Sequence, residues 1–173
     1  MKRLVLLAVM CSMMPLAARA QNAATDPVST RLREVLNDQS ANIIAAAEEF
    51  PADKYTYHPT PEGRTVGNTV GHIAQVNNFA CAQLGGVPAP PRVDIPETDK
   101  DRLVEALKAS MDFCKQQFAG LTDAKMGDPL KWRNMTRYGV AVEVTYDLYD
   151  HYATLSVYLR LNGLLPPTAQ KKP

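Results

Sequence analysis

Residues 85–97 read GGVPAPPRVDIPE, and this stretch connects the two middle helices that the sequence predicts. Four of its thirteen residues are proline, so it cannot form a helix. It is longer than a tight antiparallel hairpin needs. A long crossover could instead return the chain along the whole bundle and make the flanking helices parallel. The length alone leaves both connections open.

Two amphipathic segments flank this connection. The earlier one runs from about Val66 to Leu84, after a capping Thr65, and ends at Gly85-Gly86. The later one runs from about Asp99 to Leu121, with Thr98 opening an approximate capping box. Apolar residues recur at three- and four-residue steps in both, which indicates helices. The residues in phase are Val66, Val70, Ile73, Asn77, Ala80 and Leu84, and then Leu103, Leu107, Met111, Cys114, Phe118 and Leu121.

Two further helices are predicted outside this pair. The first runs from about Ser29 to Phe50, with Ser29 or Thr30 as its cap. The last runs from about Val140 to Leu161, although the β-branched residues of 140–145 also permit a strand there. The residues in phase are Leu32, Leu36, Gln39, Ile43, Ala47 and Phe50, and then Val144, Leu148, His151, Leu155 and Tyr158. The chain therefore reads as all-α.

The first twenty residues are typical of a secretory signal peptide. Lys2 and Arg3 precede a short apolar region, and Ala18-Arg19-Ala20 forms a cleavage site. An uncleaved N-terminal anchor is the alternative. Cleavage after Ala20 predicts a periplasmic or secreted protein of 153 residues. We expect residues 21–28 to be flexible, 29–167 to form the bundle, and 168–173 to be a flexible tail.

Composition sets limits on function. The 173 residues are 46% hydrophobic and 21% charged, which suits one globular domain. The mature chain keeps 16 basic and 18 acidic residues, a net charge of −2. This balance gives little reason to expect binding to nucleic acid, or to a membrane after the signal is removed.

Three polar side chains on or beside the apolar stripes are candidates for chemistry. His72 lies on the second helix, and Asp147 and His151 lie four residues apart on the fourth. Burying these groups without partners is costly, and a shared divalent cation would satisfy all three. The simpler alternative is that Asp147 accepts a hydrogen bond from His151 while His72 bonds another group.

Several motifs together resemble the DinB-like family of metalloenzymes, also called DNA-damage-inducible or YfiT-like. They are FPADKY at 50–55, RTVG at 64–67 leading into GHIA at 71–74, and DLYDHY at 147–152 leading into YLRLNGLLPP at 158–167. The resemblance spans nearly the whole mature chain. The last motif is the most specific one.

The resemblance implies a four-helix bundle whose second and third helices are parallel and joined by a long crossover, in up-down-down-up order. It implies zinc or nickel held by three histidines. His72 and His151 match two of them, and Asp147 stands where the remaining histidine would be. Some members of the family are thiol-dependent transferases, and many have no assigned activity.

Cys81 and Cys114 provide a test of this topology. If the two middle helices are parallel, both cysteines lie near the C-terminal ends at similar heights. Export makes oxidation feasible. We therefore predict a Cys81–Cys114 disulfide, with two buried free thiols as the alternative.

Four other side chains are candidates for a pocket. Tyr152, Tyr158 and Arg160 match the closing motif of the family, and Arg160 either pairs with an acid or holds an anionic substrate. Trp132 precedes the fourth helix and can cover a pocket mouth.

Two functional hypotheses follow. The first is an exported, divalent-metal-dependent hydrolase or thiol-dependent transferase with a His/Asp/His site, acting on an unidentified small molecule. Its catalytic residues are not assigned. The second is a non-enzymatic exported bundle that binds a small ligand or a partner and keeps a degenerate metal site. The sequence is silent on oligomeric state, although bundles of this type often pair as homodimers.

Overall fold

The computed structural model describes residues 26–170, which contain helices and loops without any strand longer than an isolated bridge. The helices are α1 (Pro27–Glu49), α2 (Val66–Gly85), α3 (Lys100–Ala119), α4 (Arg137–Leu161) and the short α5 (Pro167–Gln170). The signal peptide assigned to residues 1–20 lies outside the described residues. No helix within 26–170 has the length and apolarity that a membrane span requires.

The first four helices form the predicted bundle. The stretch 140–145 is helical, so the alternative of a strand there is wrong. Each apolar stripe faces the core. Among the stripe residues named above for the four helices, only Leu32 is partly exposed. The 3.6-residue period therefore located all four buried faces.

Two of the expected helix caps are wrong. Helix α1 begins at Pro27, and the carboxylate of the distant Asp123 accepts the backbone N–H groups of Val28 and Ser29. In return, the N–H of Asp123 donates to Asp26 Oδ1.

Helix α3 is capped by the Asp99 side chain instead of Thr98. The predicted cap at Thr65 of α2 is confirmed by its bond from the Asn68 N–H.

Helices α2 and α3 are parallel, as the family resemblance implied and as the long crossover allowed. Three close approaches follow one another along the pair: Gly67 against Glu97, Gly71 against Leu103, and Gly85 against Gln117. The partners are 30 to 32 residues apart in the chain at every point. This constant offset defines a parallel register, since an antiparallel pair would give steadily changing separations.

Helices α1 and α4 run opposite to this pair. Lys100, at the start of α3, donates to the carbonyl of Phe50 just after α1. Arg137, at the start of α4, donates to the Leu84 carbonyl near the end of α2. The Tyr158 hydroxyl, near the end of α4, donates to the Arg64 carbonyl just before α2. The order is therefore up-down-down-up.

The predicted disulfide between Cys81 and Cys114 is confirmed. The two Cα atoms lie 5.1 Å apart, and both cysteines are fully buried in the core. The bridge joins α2 to α3 near their C-terminal ends and holds the parallel pair in register.

The C-terminal segment folds back onto α1 and is joined to α4 by one side chain. Residues 167–170, mostly within the stretch that we assigned to a tail, form α5. The Tyr152 hydroxyl donates to Thr168 Oγ1 and accepts the Thr168 N–H. This contact ties the end of the described chain to the helix that carries His151.

Candidate metal centre

The antiparallel register of α2 and α4 brings His72 and His151 together. Their ring centroids lie 5.1 Å apart, and the ring planes are nearly perpendicular at 81°. The Arg137–Leu84 and Tyr158–Arg64 contacts hold the two helices together on either side of this pair. The backbone positions of the two imidazoles are thus fixed from both ends.

Asp147, the third residue of the candidate site, lies one turn before His151 on α4. Its Oδ1 lies 3.4 Å from Nε2 of His151. This is longer than an ordinary N–H···O hydrogen bond. His151 Nε2 and Asp147 Oδ2 are buried atoms without a hydrogen-bond partner. The simple alternative of an Asp147–His151 hydrogen bond therefore does not describe this pair.

The distances suit two ligands on one tetrahedral ion. With bonds of about 2.0–2.1 Å, donor atoms on a tetrahedral metal are about 3.3 Å apart. Two imidazoles on such an ion have their ring centroids about 5.2 Å apart. The 3.4 Å separation agrees with the first value. The 5.1 Å separation is close to the second, but it is also an ordinary distance for edge-on ring packing and does not distinguish the two cases.

The donors are not yet arranged around one point. Within residues 26–170, no group of three or more His, Cys, Asp or Glu side chains is arranged so that it could hold a metal ion. Binding of one ion by all three groups therefore requires their side chains to move. The unpaired buried atoms fit a shared cation chemically, since a carboxylate and two imidazoles suit zinc or nickel.

The surroundings of His72 keep its ring uncharged. Burial lowers the pKa of the His72 imidazole, the charges of Arg64 and His151 lower it further, and Asp147 has a smaller opposite effect. A neutral imidazole offers a lone pair, which a protonated ring cannot. The same position therefore favours metal ligation near neutral pH.

A polar cleft of about 500 Å³ leads to His72 from the crossover side. Its lining includes the amides of Asn68 and Gln75 and the carboxylates of Asp94 and Glu97. Asp147 and His151 do not line it. His72 is thus the member of the group that a molecule in this cleft would meet first.

The other predicted pocket residues are spread over different contacts. Tyr152 forms a hydrogen bond with Thr168. The Tyr158 hydroxyl donates to the Arg64 carbonyl, and its ring packs edge-on against Tyr57.

Arg160 donates to the Ser156 carbonyl of its own helix. Trp132 packs edge-on against Phe79, with its ring centroid 5.5 Å away. None of the four lines the polar cleft beside His72.

Arg64 is a residue whose role the sequence did not indicate. It belongs to the quoted RTVG motif, but nothing in its spacing marks it as a neighbour of the histidines. Its charge acts on His72, and its carbonyl holds the end of α4 through Tyr158. Only the fold brings these two roles together.

Comparison with known proteins agrees with this architecture. A model of the DinB superfamily matches residues 36–155. The crystal structure of YjoA, a DinB-like protein from Bacillus subtilis, is similar with a TM-score of 0.67 at 18% sequence identity. That match covers 82% of this chain and 99% of YjoA, and at this identity it speaks for the fold alone. No curated protein matches the chain significantly.

Proposed function

The chain belongs to the DinB superfamily, and on that premise we propose that His72, Asp147 and His151 bind one divalent ion, zinc or nickel, between α2 and α4. One observation carries this proposal. Asp147 Oδ1 and His151 Nε2 are 3.4 Å apart, and His151 Nε2 and Asp147 Oδ2 have no hydrogen-bond partner although both atoms are buried. A shared cation removes the cost of these uncompensated polar atoms.

The reaction classes that suit this site are hydrolysis and transfer to a thiol cosubstrate. A divalent ion held by three protein ligands supplies a Lewis acid with a position open to water, thiol or substrate. Two residues of the chain determine the charge of the site and its position beside the polar cleft. Asp147 adds one negative charge to the site, and the neutral ring of His72 lines the polar cleft.

We also propose that the protein is exported. The leader pattern of residues 1–20 supports this, and so does the disulfide within the core, because such bonds persist in oxidising compartments. Pulse labelling of the full chain in a bacterial host would test it. The expected result is a processed form that begins at Gln21 outside the cytoplasm, and retention of the full-length form inside the cell would contradict it.

Metal titration of the mature chain tests the proposed site. Untagged protein purified without chelators should bind zinc or nickel at one ion per chain in calorimetry. It should gain about 2.7 kcal/mol of stability at a free metal concentration of 100 times the dissociation constant. His72→Ala and His151→Ala should each weaken binding by at least tenfold.

His58→Ala is the matched control, since His58 lies on an exposed loop and its ring contacts the Thr60 carbonyl. Its metal affinity should equal that of the wild type. Because His151 is buried and its loss can affect folding, Asp147→Asn provides a second variant on a partly exposed side chain. Equal affinities in all four variants would show that any bound metal lies elsewhere.

A second candidate function is a non-enzymatic bundle that binds a small ligand. The observation that favours it is the edge-on packing of His72 against His151, which already gives both rings a neighbour without any ion. On this alternative the wild type takes up no stoichiometric metal. Native mass spectrometry would then show an organic adduct or the bare chain.

A further inference from the structure

A second, largely apolar cleft lies between α2, α3 and the crossover. Its volume is about 520 Å³, which is within the range of small-molecule sites in proteins. The prolines of the crossover, Pro90 and Pro91, lie over it, and Ile95 and Leu103 line it beside the polar cleft. It is open to solvent on one side, so a ligand can enter without unfolding the bundle.

Small side chains on two facing helices create this space. Gly71 and Ala74 on α2 face Ala106 and Ala109 on α3 across the cleft. The disulfide holds the two helices at one end, and the backbone approach of Gly67 to Glu97 holds the other. These two attachments fix α2 and α3 relative to each other, so the fold holds the lining of the cleft in place.

The polar side chains that line the apolar cleft share one property. They are Gln75, Asn78 and Arg92, and all three carry N–H groups that can donate hydrogen bonds, although the two amides also carry an acceptor oxygen. Arg92 is the one charged side chain in this lining, and no carboxylate belongs to it. The cleft thus combines apolar walls with a single cationic group.

Arg92 has capacity for a second anion. Its Nε lies 3.4 Å from Asp94 Oδ1, and both side chains are mostly exposed, at 73% and 91%. An exposed ion pair of this kind is weak because water screens both charges, so it is easily shared or broken. The guanidinium carries five N–H donors, and its terminal nitrogens can bind a carboxylate in bidentate fashion.

We propose that this cleft binds a small apolar carboxylic acid, with its hydrocarbon part between Ala74 and Ala106 and its carboxylate on Arg92. The neighbouring polar cleft shares Arg92 with this one but adds the carboxylates of Asp94 and Glu97. An anionic end therefore stays at Arg92, where the two clefts meet. The site is argued from its own lining and does not require a metal at His72.

Three eight-carbon probes with different end groups test the charge that the site selects. Octanoate, octanol and octylamine are titrated separately, below their micelle concentrations, into the ¹⁵N-labelled mature chain and followed by NMR. Octanoate should bind most tightly, with a dissociation constant in the low millimolar range or below, given about ten heavy atoms. Its shifts should centre on residues 89–92, 74–78 and 106. Equal or tighter binding of octylamine would overturn the proposal.

Substitutions test the location. Ala106→Leu fills the cleft and should weaken octanoate binding at least tenfold, while Ala153→Leu, at an exposed site on α4, should have no effect. Arg92→Gln should weaken binding about fivefold, and Asp94→Asn should strengthen it about twofold by releasing Arg92. Arg102→Gln, which removes a similar exposed pair with Asp99, is the matched control.

The result is separable from that of the metal proposal. Octanoate affinity should be the same with EDTA, with zinc, and in His151→Ala, whereas the metal titration depends on His151 and not on Ala106. If Ala106→Leu and Arg92→Gln bind octanoate as the wild type does, the cleft is not the site, whatever the outcome of the metal experiment.

Discussion

Residue 147 carries a carboxylate one turn before His151, at the position where the family resemblance calls for a histidine. An Asp147→His substitution should raise zinc and nickel affinity, by about tenfold, because imidazole nitrogen suits these ions better than carboxylate oxygen. The side chain is 30% exposed, so the larger ring has room. Competition against a metal-binding dye of known affinity would measure the change.

Asp150→His is the control for that gain. Residue 150 is exposed on the same helix but about 100° away from residue 151 around the axis. A histidine there adds an imidazole to the chain without adding one to the site. Comparable gains from both substitutions would mean that the extra histidine binds metal independently of His72 and His151.

Asp123 gives a pH-dependent prediction. Desolvation raises the pKa of this carboxyl, but hydrogen bonds from Ser29 and Val28 together with the nearby charge of Arg33 outweigh it, so the pKa is lowered. A depressed folded-state pKa stabilises the protein above the unfolded-state value of about 3.9. That contribution disappears as the pH falls through the folded-state pKa.

Asp123→Asn should therefore lower the melting temperature at pH 7, and the gap to the wild type should narrow steadily below about pH 4. Thermal melts from pH 7 to pH 2.5 would follow it. Glu62→Gln, on the exposed loop before α2, is the comparison for a general loss of negative charge. A gap that stays constant at all pH values would mean that the carboxylate charge does not contribute.

Sequence could locate the histidines but not their geometry. The four-residue step from Asp147 to His151 already fixed a common helix face. The distance between His72 and His151 depends on how α2 slides along α4, and that depends on contacts such as Tyr158 with Arg64. Spacing along the sequence does not determine how two separate helices are aligned. The three candidate residues could therefore be named from the sequence, but the distances between them could not be derived.

At the level of the element, the start of α2 lies unusually close to the crossover. A Cβ atom placed on Gly67 would clash with the Glu97 carbonyl oxygen, which is backbone and cannot rotate away. Gly67→Ala gains up to about 1 kcal/mol of helix propensity but should lose more through this clash, since overpacking costs about 1–3 kcal/mol. Urea unfolding should show net destabilisation.

Gly120→Ala is the matched substitution. Gly120 ends α3 with a φ of −83°, and a Cβ there meets only the Gln117 carbonyl oxygen at 3.9 Å. Stability should stay the same or rise by about 0.4–1 kcal/mol. If Gly67→Ala were equally harmless, the crossover would have to yield easily at Glu97, and the fixed cleft beside it would lose its support.

The helices were more predictable than their ends. The spacing of apolar residues and the Gly and Pro residues at the helix ends located all four helices. Gly86, with a φ of 68°, ends α2 as expected. The cap of α1 was unpredictable because its acceptor, Asp123, is more than ninety residues away in the chain. A local capping pattern describes only neighbours in sequence, so Ser29 and Thr30 were plausible there and wrong.

At the scale of the whole molecule, the disulfide should contribute a large part of the stability. Cys81 and Cys114 are 33 residues apart, and closing such a loop contributes about 3–4 kcal/mol in the chain-entropy model. Reduction should lower the melting temperature by roughly 8–15 °C for a domain of this size. Scans with and without a phosphine reductant, checked by thiol counting, would measure it.

The double variant Cys81→Ala/Cys114→Ala should melt near the reduced protein and should not respond to reductant. Its urea m-value should exceed that of the oxidised wild type, because the uncrosslinked chain exposes more surface when it unfolds. Identical melting of oxidised and fully reduced wild type would show that the bridge adds no stability to a bundle that is already well packed.

The family resemblance implied the parallel topology, and two features of the sequence agreed with it. The proline-rich crossover allowed a parallel pair, and two cysteines near the ends of their helices suited it. The cleft under the crossover was not predictable, because only the fold brings its lining residues from α2, α3 and the crossover together. Alanines at 74 and 106 are ordinary helix residues in sequence and become the walls of a cavity only in the folded chain.

The disulfide between α2 and α3 also changes the effect of cleaving a peptide bond in the exposed crossover. Every peptide bond from residue 82 to residue 113 lies inside a covalent ring closed by the two sulfurs. A protease that nicks the chain at residues 86–98 would therefore leave one molecule with two extra termini, and the four helices would remain attached to one another.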